Sequence, residues 1–164
     1  MKTRSVNRSL RLATAFCIAA FALPTFFATR ATAEAPGAEP ALARAAGDAG
    51  LQWSGCPDFL PAGCAIAVLH GDPSKPNVDV FFKVPAKSQI ALHTHTSAER
   101  MVLVAGELDV TYEGQATARL TPGSYAYGPA GRAHRAACVS DVTCVLFIAF
   151  ESPLDAMPSG AAGH

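Results

Sequence analysis

The chain has 164 residues, half of them hydrophobic, with 13 basic residues balanced against 13 acidic ones, which supplies one ordinary core and not two full domains. Five of the basic residues, Lys2, Arg4, Arg8, Arg11 and Arg30, precede the first acid, Glu34, so the remainder carries eight basic residues against 13 acidic. That acidic remainder has no Lys/Arg run and lacks the electrostatic footprint of phosphate-backbone binding, so no nucleic-acid partner is expected.

The basic start leads into an apolar run from Leu12 to Leu23, which Pro24 breaks, and then into Ala31-Thr32-Ala33, a small-x-small pattern. This order predicts a secretory signal over residues 1–33, cleaved after Ala33. A membrane span takes about 20 apolar residues; this run is shorter, so no stable membrane insertion is expected after cleavage. Phe16 stands directly before Cys17, where a lipoprotein signal would place a small residue. The mature protein is therefore expected in the periplasm or outside the cell. Residues 34–50, rich in Ala, Pro and Gly, read as a flexible linker, residues 51–152 as the folded domain, and residues 153–164 as a flexible tail.

Cleavage removes Cys17 and leaves Cys56, Cys64, Cys138 and Cys144 in an oxidising compartment. Four cysteines allow three connectivities; the sequence-local pairs Cys56–Cys64 and Cys138–Cys144 close short loops and are preferred over the distant ones, with buried free thiols as the alternative. No Cys-x-x-Cys occurs, so neither a thioredoxin-like motif nor a cysteine zinc site is supported.

From Trp53 onward the pattern is one of short strands and turns. Strands are predicted at Ala65–Leu69, Val78–Val84, Gln89–His93, Arg100–Val104, Glu107–Tyr112, Thr117–Leu120, Ser124–Tyr127, Ala133–Val139 and Thr143–Phe150. Between them lie turn formers such as Gly71-Asp72-Pro73, Ala105-Gly106 and Thr121-Pro122-Gly123. Almost nothing competes as helix, and the domain is predicted to be all-β. Thr143–Phe150 is nearly continuous apolar and reads as buried on both faces.

The chemistry concentrates in two blocks. In the first, His93-Thr94-His95-Thr96-Ser97-Ala98-Glu99, residues i and i+2 of a strand share a face, so His93 and His95 can present both imidazoles to one point; a short turn then lets Glu99 add an oxygen beside them. In the second, Gly123, Pro129, Gly131 and His134 fall as Gly-x5-Pro-x-Gly-x2-His, and the prolyl-glycyl turn delivers a third imidazole from another strand. No Ser-His-Asp set, phosphate loop or nucleotide fingerprint is present.

These two blocks resemble the paired motifs of the cupin superfamily, over most of the chain from about Trp53 to Phe150. The resemblance implies a single jelly-roll β-barrel and, carried over residue by residue, a metal site of His93, His95, Glu99 and His134. Lys87 stands where the first block usually opens with glycine, and Cys138 where the second often closes with asparagine; neither is a ligand position. Three nitrogens and one carboxylate suit one divalent ion of Fe, Mn, Ni, Cu or Zn. By analogy with cupins the protein is expected to form a homodimer. Two functions follow: a metal-dependent enzyme of oxygenase, isomerase or decarboxylase type acting on a small organic substrate, or a non-catalytic module that binds or senses a small ligand or the metal. By period-two phase Gln89, Met101 and Tyr127 are the candidate substrate contacts. Tyr125 and Tyr127, two apart on one strand, can line the cavity but read as core, and Arg100 and Arg132, flanking ligands, can contact an anionic ligand at the barrel mouth but read as solvated surface.

Overall fold

The computed structural model of the chain describes residues 39–160. The expected signal at 1–33, the first part of the expected linker and the last four residues of the expected tail lie outside the described residues. The chain divides into two units, Met1–Pro40 and Ala41–His164, and the fold below is that of the second.

Among the described residues there is no helix, and eleven strands run in order: β1 Trp53–Gly55, β2 Ala65–His70, β3 Val78–Val84, β4 Gln89–Thr94, β5 Glu99–Ala105, β6 Leu108–Tyr112, β7 Ala118–Leu120, β8 Tyr125–Gly128, β9 His134–Cys138, β10 Cys144–Phe150 and β11 Met157–Pro158. They form two sheets, β1-β2-β3-β10-β5-β8 and β11-β4-β9-β6-β7, every pair antiparallel. This is the jelly-roll barrel, two sheets closed over one core.

The nine predicted strands are all present, Val78–Val84 with the same ends and the other eight with one or both ends shifted. β10 departs from expectation. Cys144, Leu146, Ile148 and Phe150 are buried while Val145, Phe147 and Ala149 are half-buried, because β10 lies between β3 and β5 in a sheet covered on its inner side. The inward faces of both sheets meet in the core, which includes Val78, Val80, Leu103, Leu108 and Leu146. Lys87 occupies a left-handed turn position, φ 58°, that favours glycine. Its ammonium donates to the Val139 carbonyl at 2.7 Å and pairs with Asp141 at 2.9 Å, which offsets the backbone cost.

Disulfides join Cys56 to Cys64 and Cys138 to Cys144, with Cα atoms 5.7 Å apart in each. The second ties the end of β9 in one sheet to the start of β10 in the other. The segment from residue 153, expected as a flexible tail, is bonded to the barrel as far as Ser159. Leu154 donates its N–H to the Pro73 carbonyl, Ser159 donates to the Leu92 carbonyl, and β11 pairs Met157 with Thr94 and Pro158 with His93. The composition hid this because a two-residue strand carries no alternation, and its partner β4 is distant in sequence.

Candidate metal centre

A β-bulge sets the site. Along β4 and β9, Ile90 pairs with Ala136 and His93 with His134, so three residues on β4 span what two span on β9. The inward phase of β4 therefore moves from Ile90 to His93, and His95 continues it just past the strand end. The His93–His134 pairing puts two rings side by side, centroids 4.2 Å apart, with His95 at 4.9 Å from His93 and 5.4 Å from His134. The turn of the second block is tied to the first, since the Gly131 N–H donates to the His95 carbonyl at 2.8 Å. Glu99 opens β5 in the opposite sheet and reaches across: Oε2 is 3.5 Å from His95 Nε2, and Oε1 is 3.1 Å from His134 Nε2. All four side chains are buried.

Each imidazole is oriented by a main-chain carbonyl. His93 Nδ1 lies 2.8 Å from the Ala91 oxygen, His134 Nδ1 lies 3.1 Å from the Arg132 oxygen, and His95 Nδ1 bonds the Asp155 oxygen. A carbonyl only accepts, so Nδ1 carries the hydrogen in every ring and the neutral ring keeps its Nε2 lone pair for the centre. One ligand atom from each of the three histidines lies within 4.8 Å of the other two.

This donor set fits a metal ion. With His134 neutral, its Nε2 lone pair faces Glu99 Oε1, a buried oxygen with no hydrogen-bond partner, and such a contact needs a cation. A proton on His134 satisfies one pair; a divalent ion satisfies three imidazoles and the carboxylate together. The electrostatics show the same pull on a positive charge beside Glu99. Burial opposes ionisation of Glu99, but His134, helped by His95 and His93, overcomes it and holds the carboxyl below its usual range. Burial pulls His134 down, while Glu99 and the Arg132 carbonyl more than restore it and leave it raised. Burial and the neighbouring His134 push His93 down to about 4, so it is neutral at neutral pH and its lone pair is available.

The four residues open onto a cavity of about 210 Å³ whose wall, Asp155 apart, is otherwise apolar, with Ile66, Val80, Ile90, Leu108, Val110 and Leu146 among its lining.

A family model described as the ChrR cupin-like domain matches residues 47–153. The chain belongs to this family. No curated protein matches it. Among solved structures, this ChrR cupin-like chain is similar to the DMSP lyase DddQ from Ruegeria pomeroyi, at 23% identity and TM-score 0.58 over 70% of this chain and 64% of that one. It thus spans just under two thirds of that enzyme's length. It is also similar to the polyketide cyclase RemF from Streptomyces resistomycificus, at 14% identity and TM-score 0.59 over 74% and 88% of the two chains. A third likeness is to a predicted oxalate decarboxylase from Thermotoga maritima, at 15% identity and TM-score 0.53 over 63% and 94%. At these identities the likeness is one of fold.

Two residues that the sequence reading passed over position the site of this cupin-like domain. Gly128 pairs with Glu99 across β8 and β5, and a Cβ on it would stand 2.8 Å from both Glu99 Cγ and Oε1. Glycine is needed there for space, as Gly128 is not among the glycines with positive φ. Gly128→Ala is expected to displace the carboxylate and weaken metal binding about tenfold or more, with the fold destabilised by roughly 1–3 kcal/mol. A competition titration against a chromophoric chelator, paired with a urea melt, reads both; unchanged metal affinity in the folded variant would place Glu99 outside the ligand set.

Asp155 is the second. Beyond its carbonyl bond to His95, its carboxylate accepts the Thr96 N–H at 2.9 Å and the Thr96 hydroxyl at 2.6 Å. The segment after Ser152 is thereby an outer support of the site. Its removal is expected to lower metal affinity by about 10–100-fold, the usual effect of losing a ligand's orienting partner. Asp155→Ala, which keeps the carbonyl, should cost less. The same chelator competition orders wild type, point variant and truncation, and equal affinities would remove the support role.

Of the expected substrate contacts, Met101 lines the cavity. Gln89 and Tyr127 are corrected: both are exposed and face outward. For Gln89 the β4 bulge reverses the phase counted back from His93. Tyr127 pairs with Arg100, the outward neighbour of Glu99. Tyr125, read as core, is corrected too, with 59% exposure. Arg100 pairs with Glu151 and Arg132 donates to the Glu113 carbonyl at 3.2 Å, both at the surface. Tyr112, not singled out from sequence, packs its ring 5.2 Å from His134 and buries its hydroxyl without a partner. Burial, with the nearby Glu99 charge, keeps that hydroxyl protonated well above its ordinary range.

Proposed function

We propose that this chain is an exported cupin that holds one divalent metal ion through His93, His95, Glu99 and His134, and acts as a metal-dependent enzyme on a small organic molecule admitted to the barrel. The observation that carries this reading is the opening of the four converging side chains onto an apolar cavity. A site serving stability alone is normally closed. A bound ion would supply Lewis-acid polarisation of a substrate oxygen or similar donor. The chain's own part is to hold the rings in one tautomer, to keep Glu99 ionised and to exclude water. Export rests on the signal pattern of residues 1–33, and places the mature protein in the periplasm or outside the cell.

One observation favours a second reading, a binding or sensing module. Besides the four ligands, Asp155 is the titratable residue lining the cavity, and its carboxylate is committed to Thr96. A reaction that needs a free general acid or base finds none on that wall. Metal analysis of protein isolated from its native compartment, with intact mass, tests the proposal. One ion per chain and a start near Glu34 are expected, and metal-free native protein or a retained amino-terminal segment would overturn the respective half. Turnover of a small molecule that is lost on chelation and restored by metal separates enzyme from binding module.

A further inference from the structure

We infer that the ligand of this cavity is a compact, mostly apolar molecule about the size of one substituted ring, carrying a single monoanionic donor group such as a carboxylate, phenolate or thiolate at one end. This rests on the metal reading above and deepens it. Three observations fix the class.

The first is size. An apolar cavity of about 150 Å³ accepts benzene; this one, of about 210 Å³, accepts a ring with a short substituent. The second is the segregation of polarity along the strands. His93, His95, Glu99 and His134 sit where β4 ends and where β5 and β9 begin, while Ile90 and Leu146 continue the wall toward the starts of β4 and β10, and Leu108, at the start of β6, pairs with Cys138 at the far end of β9. Such a wall suits a molecule with one polar head and one apolar body. Beyond the ligands, the polar side chain on the wall is Asp155, already bonded to Thr96, and no Lys, Arg, Ser, Thr, Asn, Gln, Tyr or Trp lines the cavity, so the hydroxyls of a sugar or the second carboxylate of a dicarboxylate would be buried short of partners. The third is charge. A divalent ion beside one ionised Glu99 leaves one net positive charge at the donor set, and the other carboxylate on the wall, Asp155, is turned to the Thr96 N–H and hydroxyl, so a singly charged donor on the ion cancels the charge there. A cationic ligand adds to that charge, and a dianion such as oxalate reverses it.

The test uses the full chain loaded with cobalt(II), whose visible bands report the ligand sphere, with calorimetry for affinity. Benzoate is the probe; acetate supplies the head without the body, toluene the body without the head, and galacturonate the polyhydroxylated alternative. Benzoate is expected to shift the cobalt bands and to bind at least about tenfold more tightly than acetate, from burial of the ring, and more tightly still than galacturonate. Toluene is expected to bind the metal-free chain as well and to leave the bands nearly unmoved. Leu108→Phe and Ile90→Phe, which fill the cavity from two strands, should keep cobalt and its response to acetate while losing the preference for benzoate. Galacturonate binding as tightly as benzoate, or a benzoate advantage that survives in both filled variants, would overturn the inference. Cobalt uptake with no benzoate response sinks the ligand class alone. Failure to take up cobalt sinks the metal reading and the head-group half with it, and toluene binding to the metal-free chain then decides the apolar half.

Discussion

Replacing His93 and His134 together with alanine is expected to lower divalent-metal affinity by more than about a hundredfold, beyond what the loss of one orienting partner causes, while the barrel still folds. The two rings face each other at the last pair of the β4–β9 ladder, 4.2 Å apart, but the ladder itself is made of main-chain bonds that alanine keeps. Two ligands then remain, His95 and Glu99, too few for a stable transition-metal site. The variant also removes the His134 partner of Glu99 at 3.1 Å, so the buried carboxyl shifts toward its protonated form and the metal-free protein loses part of its stability while staying folded. The contrast appears in thermal unfolding. Saturating metal stabilises the wild type by binding only the folded chain, about 2.7 kcal/mol at a free concentration a hundred times Kd, and does nothing for the variant. Metal content after dialysis, by elemental analysis, gives the stoichiometry directly. A folded double variant that keeps one ion per chain would show the site assignment to be wrong.

The largest expected effect on stability is at Gly106. It turns the chain between β5 and β6 at φ 85°, in the left-handed region that costs a residue with a Cβ about 1–2 kcal/mol. A Cβ there would also lie 2.8 Å from Cys144 Sγ, 2.9 Å from Ser140 Oγ and 3.0 Å from Cys144 Cα. None of these can retreat easily, because Cys144 is fully buried and bonded to Cys138. Overpacking adds about 1–3 kcal/mol, so Gly106→Ala is expected to cost about 2–5 kcal/mol in urea unfolding. Gly114→Ala is the control: φ is 77°, yet nothing lies within 4 Å of its added Cβ, so it carries the backbone term alone, about 1–2 kcal/mol. Equal losses at the two positions would mean that the packing against the disulfide contributes nothing.

What the sequence by itself determined is the architecture and the residues brought to one point. Turn formers at short intervals and alternating strands leave an all-β domain as the outcome, because period-two burial and loop chemistry are local properties; the barrel itself came with the resemblance of the two blocks to cupins. The spacing His93-x-His95-x3-Glu99 with Gly123-x5-Pro129-x-Gly131-x2-His134 is local too, and the structure gathers those four side chains. Everything that depends on which strand lies beside which was decided by the tertiary structure. Counting by twos from His93 misplaced Gln89, because the β4 bulge shows only when β4 is set against β9. Tyr127 faces solvent because its register partner is Arg100 and not Glu99. Gly128 reads in the sequence as one more glycine near a turn, yet its missing Cβ is the space that the Glu99 carboxylate occupies. Asp155 lies 60 residues from His95 in a stretch with no strand pattern, and it supports that ring through a main-chain carbonyl. Every residue type carries such a carbonyl, so only its placement in three dimensions gives it a role.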